Sequence, residues 1–447
     1  MSFPKDFIWG SASSAYQTEG AYNEDGKGLS IWDDFCRKPG VIADGENGDV
    51  ACDAYHRFAE DIALMKQLGI KAYRFSLNWP RILPEGRGAV NEKGLAYYDT
   101  LVNMLIENGI EPMITIYHWD MPMPLHEQGG WLNRDIIYAL EEFTVLAARH
   151  FSDRVKTFVP LNEPQCFISL GYERGIHAPG LRLPLKDIFA CIHNSLLAHG
   201  LAVKALRDNC PDDVKIGIAS TGRLCYPQND TLQGIDAAEK ASFVISGFDW
   251  LFSHNLFLDP LILGHYPDCG IDGFNELAAS VNEQDWQIIR QDVDFIGLNV
   301  YNGREADDTS TDVRKVPGFP RTAMKWPVTP KVMRYGTRYI YNRYRLPIMI
   351  TENGQSCNDR IFLDGEVHDA DRIDFLHGYL SELKKACADG VPVTGYLHWS
   401  FTDNFEWHNG YDERFGLIFI DYASQRRIFK DSAHWYANVI SGNGDTL

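Results

Sequence analysis

Residues 53–76 read DAYHRFAEDIALMKQLGIKAYRFS. Phe58, Ile62, Met65 and Leu68 recur at helical spacing, which predicts a helix over 53–68 with one apolar face. Gly69 follows the last periodic residue, where a left-handed residue ends a helix without steric cost. Residues 70–76 then read as a short apolar and aromatic strand. The same helix, glycine and strand recur over 93–108, Gly109 and 111–117. They recur again over 372–389, Gly390 and 391–399.

Working outward, residues 7–12, 155–161, 214–220, 295–299 and 347–351 are further strand candidates, about eight in all. Most are continuous apolar runs rather than alternating ones, the pattern of a parallel sheet covered on both faces. No linker, low-complexity stretch or charge block divides the chain. The expectation is therefore one α/β domain over 1–447, a (β/α)8 TIM barrel. A doubly wound open sheet is the alternative. It calls for a glycine-rich phosphate turn after its first strand, and SASSAY at 11–16 is not one.

Composition narrows the function. Of the 447 residues 45% are apolar and 23% charged, the profile of a soluble globular chain that needs no disulfide or metal staple. Lys and Arg total 42 against 61 Asp and Glu, and the charge of −19 argues against holding nucleic acid or an anionic membrane through a general field. The first residues, MSFPKDFIWG, lack a charged segment followed by an apolar one, so no secretory signal is read there. No unbroken apolar run approaches membrane-spanning length, so no transmembrane helix is expected. Nine cysteines, none in a C-x-x-C pair, read as reduced, mostly buried thiols of a cytoplasmic protein. There is no H-E-x-x-H, clustered Cys/His set or phosphate loop, so no metal or cofactor is expected.

Polar residues stand at the ends of the strands. Arg74 follows the second strand, His118 the third, and Asn162 and Glu163 the fourth. Asn299 and Tyr301 follow the sixth, Glu352 the seventh and Trp399 the eighth. One such residue is ordinary strand-end or helix-cap chemistry. A set running round the ring points to one mouth, where barrel enzymes build their sites. Glu163 lies in PLNEP at 160–164 and Glu352 in ITENG at 350–354. Far apart in sequence, they face each other across the mouth if the barrel closes. Two opposed carboxyls can hydrolyse a glycoside: one protonates the leaving oxygen while the other attacks the anomeric carbon or activates water. Either tripeptide alone is common turn chemistry.

The blocks FIWG at 7–10, YQTEG at 16–20, YRFS at 73–76 and YHWD at 117–120 occur in order with NEP at 162–164. FIGLN at 295–299, ITENG at 350–354, DNFEW at 403–407 and QRRI at 425–428 follow. Together they span essentially the whole chain and resemble glycoside hydrolase family 1, the retaining β-glycosidases typified by β-glucosidases. The resemblance implies that Glu352 is the nucleophile and Glu163 the general acid and then the base, with their carboxyls about 5–5.5 Å apart. Arg74 and the Tyr301 hydroxyl would keep Glu352 ionised. The charge of Glu352 would in turn raise the pKa of Glu163.

By the same resemblance Gln17, His118, Trp119, Asn162, Glu406 and Trp407 would hold the non-reducing sugar, with Asn299 completing the polar ring. Trp399 would stack beneath it, and Asn162 would meet the 2-hydroxyl. Trp326 is a candidate wall of the aglycone site, with Tyr301 and His177 beside it. Phosphate-specific members place Ser, Lys and Tyr where this chain has SFTDNFE at 400–406, without lysine and ending in a carboxylate. Like charges would repel there, so the sugar is expected to be unphosphorylated. Departures at Asn78, Met121, Met123, Phe158, Pro160 and Val300 bear on the aglycone preference. The expected activity is exo-hydrolysis of β-glucosides, from cello-oligosaccharides to aryl and alkyl glycosides. The alternatives are β-galactosidase, β-fucosidase or transglycosylase action. A non-catalytic sugar-binding barrel would lack one of the two acids, and both are here.

Overall fold

The structure is a computed structural model that describes residues 2–306 and 317–447. Eight parallel strands close into a barrel: β1 Ile8–Ala12, β2 Ala72–Ser76, β3 Glu111–Tyr117, β4 Thr157–Leu161, β5 Lys215–Thr221, β6 Phe295–Asn299, β7 Ile348–Asn353 and β8 Val393–Trp399. Each pairs with its neighbours in chain order, and β8 pairs back onto β1 with Gly10 opposite Leu397. Every strand expected from the sequence is present.

The helices fall where the periodicity puts them, at Ala54–Leu68, Glu92–Glu107 and Ala370–Ala388. Gly69 closes the first at φ 72°, a backbone that a side chain rarely adopts. β4, β6 and β7 are buried along their whole length, which is why their sequences do not alternate. Inside the barrel each strand contributes one apolar plug residue: Ala12, Ala72, Met113, Val159, Ala219, Phe295, Met349 and Leu397. Burying each of the larger ones stabilises the floor by about 1.5–3 kcal/mol.

Two expectations need correction. Arg74, Asn299 and Trp399 do not follow β2, β6 and β8 but sit within them, Arg74 opposite Met113. Glu352 and Asn353 extend β7 rather than follow it, because Asn299 pairs with Glu352 and His398 with Asn353. Helix Leu185–Asn209 meets the length and composition of a membrane span, but 83% of its apolar window is buried inside the fold, as in a core helix of a globular protein. His193, Asn194, Ser195 and His199 interrupt its apolar run, so a search for an unbroken stretch passes over it. Two short features went unread: a hairpin of Ile418–Asp421 with Arg426–Phe429, and a parallel pair of Cys225–Pro227 with Arg304–Ala306.

Candidate active site

Glu163 stands two residues past β4 in the left-handed region, at φ 46° and ψ 67°. A non-glycine residue there costs about 1–3 kcal/mol. The turn is held by the Asn162 amide donating to Tyr117 O at 3.0 Å and the Glu163 amide donating to Ala219 O at 2.8 Å. Pro164, whose ring suits a first helical position, then opens a one-turn helix. Opposite, the chain turns away from Glu352 at Gly354, where a Cβ would lie 1.8 Å from Trp399 O. Only glycine allows β7 and β8 to end so close together.

The two carboxyls share one hydrogen-bond network. Arg74, fully buried, donates through Nη2 to Glu352 Oε1 and through Nη1 to Asn162 Oδ1 at 3.1 Å. The Tyr301 hydroxyl donates to Glu352 Oε2 at 2.6 Å. Asn299 Nδ2 donates to Glu163 Oε1 at 2.6 Å and to Asn162 Oδ1 at 3.1 Å. Thr351 fixes that amide by donating to Asn299 Oδ1 at 2.6 Å.

Electrostatics separates the pair. Burial first, and then the charge of Glu352, push Glu163 up to about 8. The sequence reading credited Glu352 alone; the dry surroundings are the larger cause. Burial raises Glu352 as well, but the Arg74 guanidinium and the Tyr301 hydroxyl oppose it. Near neutral pH the proton therefore resides on Glu163 and the charge on Glu352.

His118 is kept neutral by burial and then by Arg74. Asn162 Oδ1 already accepts two bonds, so its Nδ2 must be the donor to His118 Nε2, 3.1 Å away. The network thus assigns the tautomer: Nδ1 carries the proton, and among the described residues nothing accepts it. That donor is buried in the pocket wall. Trp119 is locked by its indole donating to Asn162 O at 2.8 Å. Its ring lies 4.5 Å from that of Trp407, and Trp407 lies 4.5 Å from Trp32. Trp399 stacks on His118 at 5.9 Å.

At the centre of these side chains is a cavity of about 130 Å³, open toward solvent. His118, Trp119, Asn162, Glu163, Tyr301, Trp326, Glu352, Trp399, Glu406 and Trp407 all reach it. Asn299 reaches the outer chamber that continues from it. Gln17 and Arg74 stand behind the wall. Gln17 Nε2 donates to Asn404 Oδ1 at 3.0 Å, Phe405 O at 2.9 Å and Glu406 Oε2 at 3.3 Å, so it braces Glu406 from the rear.

The loop bearing Glu406 is anchored by Asp403. Its carboxylate binds Lys430 at 2.6 Å and Arg414 at 2.6 Å, and both Asp403 and Lys430 are fully buried. Burial, and then the charges of Glu352, Glu413 and Glu163, raise the Glu406 carboxyl well above the usual range.

Sequence reasoning missed Cys166, Leu170, Met324, His408, Asn409 and Phe415, which also line the inner cavity. Cys166 stands one helical turn beyond Glu163, a spacing that could have flagged it. His408, hydrogen-bonded to His177 at 2.8 Å, lies in an isolated 3-10 turn that carries no periodic signal. Among the described residues no three His, Cys, Asp or Glu side chains converge to hold a metal ion.

A (β/α)8 barrel with one protonated and one ionised carboxyl at its mouth, inside a tryptophan-walled pocket, has the equipment of a glycoside-cleaving enzyme. Comparison with known proteins makes this specific. The sequence profile of Glycosyl hydrolase family 1 matches residues 1–445. Beta-glucosidase A of Acetivibrio thermocellus is 44% identical over 455 residues, covering 99% of each chain. Beta-glucosidase A of Thermotoga maritima is 41% identical over 447 residues, covering 99% of this chain and 98% of that one. The solved structure of the Thermotoga maritima beta-glucosidase in complex with glucoimidazole matches with a TM-score of 0.90 at 41% identity, covering 99% of each chain. This chain belongs to glycosyl hydrolase family 1 and is an enzyme of the retaining O-glycosyl hydrolase type.

Proposed function

We propose that the chain is an exo-acting β-glucosidase that removes terminal non-reducing glucose from short cello-oligosaccharides and from aryl and alkyl β-glucosides. One observation carries the assignment of roles. Glu352 is clamped as a carboxylate between Arg74 and Tyr301, while Glu163 is held protonated in the same network.

In the first step a Glu352 oxygen forms a bond to the anomeric carbon as the glycosidic C–O bond breaks. Glu163 delivers its proton to the departing oxygen. Once Glu352 is an ester its charge is gone, and the second cause of the raised Glu163 pKa goes with it. Arg74 remains, so Glu163 is left ionised as a base. It then takes a proton from water, the water oxygen attacks the anomeric carbon, and Glu352 leaves as a carboxylate. Asn162 and His118 Nδ1 supply donors for sugar hydroxyls, and the indoles of Trp399 and Trp407 supply apolar faces.

The beta-glucosidase activity named for the relatives supports glucose as the glycone. The inner pocket is lined by Glu163, Glu352 and Glu406 and, among the described residues, by no lysine or arginine, which argues against a sugar phosphate. We read residues 1–447 as one catalytic domain. Cytoplasmic residence is supported by nine cysteines that are all free thiols.

The test is a set of initial rates on para-nitrophenyl β-glucoside, β-galactoside, β-fucoside and β-glucoside 6-phosphate. The glucoside is expected to be cleaved and the phosphorylated sugar refused. Cleavage of only the phosphorylated sugar would overturn the reading. A galactoside or fucoside cleaved faster than the glucoside would revise the glycone.

A further inference from the structure

Beyond Glu163 the cleft widens into the outer chamber, whose wall carries Arg223, Arg304 and Lys325. Cationic side chains are unexpected there in a chain of net charge −19. Asp249, on the same wall, is already shared: Oδ1 accepts from Arg174 at 2.9 Å and Oδ2 from Arg304 at 3.0 Å. Glu173, 3.6 Å from Arg174, completes the neutralisation of those two arginines. Arg223 is left over. Its Nη2 donates to the backbone oxygen of Val244, and its Nε is buried without an acceptor. Among the described residues no carboxylate forms an ion pair with it, and Asp249, the acid in its field, is held by Arg174 and Arg304. The remaining acid of the chamber, Glu413, lies within the field of Lys325, and burial pushes it toward its neutral form.

A guanidinium fixed in a cleft wall with no ion-paired carboxylate among the described residues is matched by a carboxylate, which accepts its N–H bonds and cancels its charge. We propose that the outer, aglycone half of the cleft is an anion-accepting subsite centred on Arg223, selecting β-glucosides whose leaving group carries a carboxylate. This rests on the β-glucosidase reading and deepens it by naming a class of aglycone. The reaction class that supplies such substrates is oxidation of the reducing-end aldehyde of a β-glucan fragment to an aldonic acid. The subsite lies beyond the reacting bond, so it acts through recognition of the leaving group and leaves the chemistry at the anomeric carbon unchanged.

The experiment compares matched pairs that differ only at the reducing end: cellobionate against cellobiitol, and cellotrionate against cellotriitol, with para-nitrophenyl β-glucoside as reference. For at least one chain length kcat/KM is expected to favour the acid about tenfold, the lower end of what one hydrogen bond to a charged group contributes, as befits a half-exposed site. The preference should shrink in molar salt. Arg223→Met should bring the ratio near unity, whereas Arg223→Lys, which keeps the charge, should retain part of it. Because each ratio is taken within one enzyme sample, a loss of folded protein cancels. Equal efficiency on acid and alditol at both lengths, or a preference unchanged in Arg223→Met, would overturn the subsite while leaving the β-glucosidase reading intact. Failure on every substrate, para-nitrophenyl β-glucoside included, would instead refute that reading and the subsite with it.

Discussion

Replacing Tyr301 by phenylalanine removes one hydroxyl from the site and little else. That hydroxyl donates to Glu352 Oε2 at 2.6 Å, on the side of the carboxylate opposite Arg74. A hydrogen bond to a charged group contributes about 1.5–3 kcal/mol. Tyr301 is only half-buried, so the lower end applies. One pKa unit corresponds to about 1.4 kcal/mol, so the carboxylate of Glu352 should lose about one unit of stabilisation. The bond favours the ionised form, so its loss raises the pKa. Activity requires Glu352 ionised, and it therefore appears as pH rises through that pKa. In Tyr301→Phe the acidic limb of kcat/KM should shift upward by about one pH unit. The alkaline limb should move less, because burial, the main cause of the raised Glu163 pKa, is untouched. The assay is the pH profile of kcat/KM for para-nitrophenyl β-glucoside in both proteins. An acidic limb that stays in place, or moves downward, would refute the role given to the hydroxyl.

Other changes separate the remaining parts of the account. Glu163→Gln should abolish the alkaline limb, which in the native protein falls as pH rises through about 8. It should also cost about 10²–10⁴-fold on poor leaving groups while sparing a dinitrophenyl glucoside, and equal losses on both would argue against proton donation. Lys430→Met leaves the buried carboxylates Asp403 and Asp359 with one cation each, Arg414 and Arg372, and should destabilise the fold by about 3 kcal/mol in denaturant unfolding, the lower end for breaking a buried pair. A change below about 1 kcal/mol would show that the buried network does not hold the Glu406 loop. His118→Phe, which keeps the stacking ring but removes the Nδ1 donor, should raise KM for the glucoside more than it lowers kcat. An unchanged KM would mean that this donor meets no sugar hydroxyl.

Much of this architecture was legible because the same physics repeats along the chain. Three of the barrel's helices stop at or beside a glycine, Gly69, Gly109 and Gly390, and most of the strands are largely apolar because both their faces are covered. The pair Glu163 and Glu352 could be read for a related reason: an acid at the end of a buried strand is costly unless the fold uses it. Legibility failed where tertiary contact, not local pattern, sets the outcome. The polar residues Glu352 and Asn353 look like a turn but complete ladders with β6 and β8. Gln17, expected as a sugar ligand, also ties its amide to Asn404, Phe405 and Glu406, contacts that no local pattern announces. His408, Asn409 and Phe415 reach the pocket from loops after β8, where no periodicity marks a direction. The excess charge on Arg223 is also invisible in sequence, because it depends on how two other arginines divide Asp249.

The central claim is that Glu352 attacks the anomeric carbon. A dinitrophenyl glucoside bearing fluorine in place of the 2-hydroxyl should glycosylate Glu352 quickly, with loss of dinitrophenolate, and release the sugar slowly. Peptide mapping of the trapped protein by mass spectrometry then locates the ester. One equivalent of fluoroglucosyl on the peptide containing Glu352, with loss of activity in step with labelling, is the expected result. A label on any other residue, or no label together with an inverted product anomer, would contradict it.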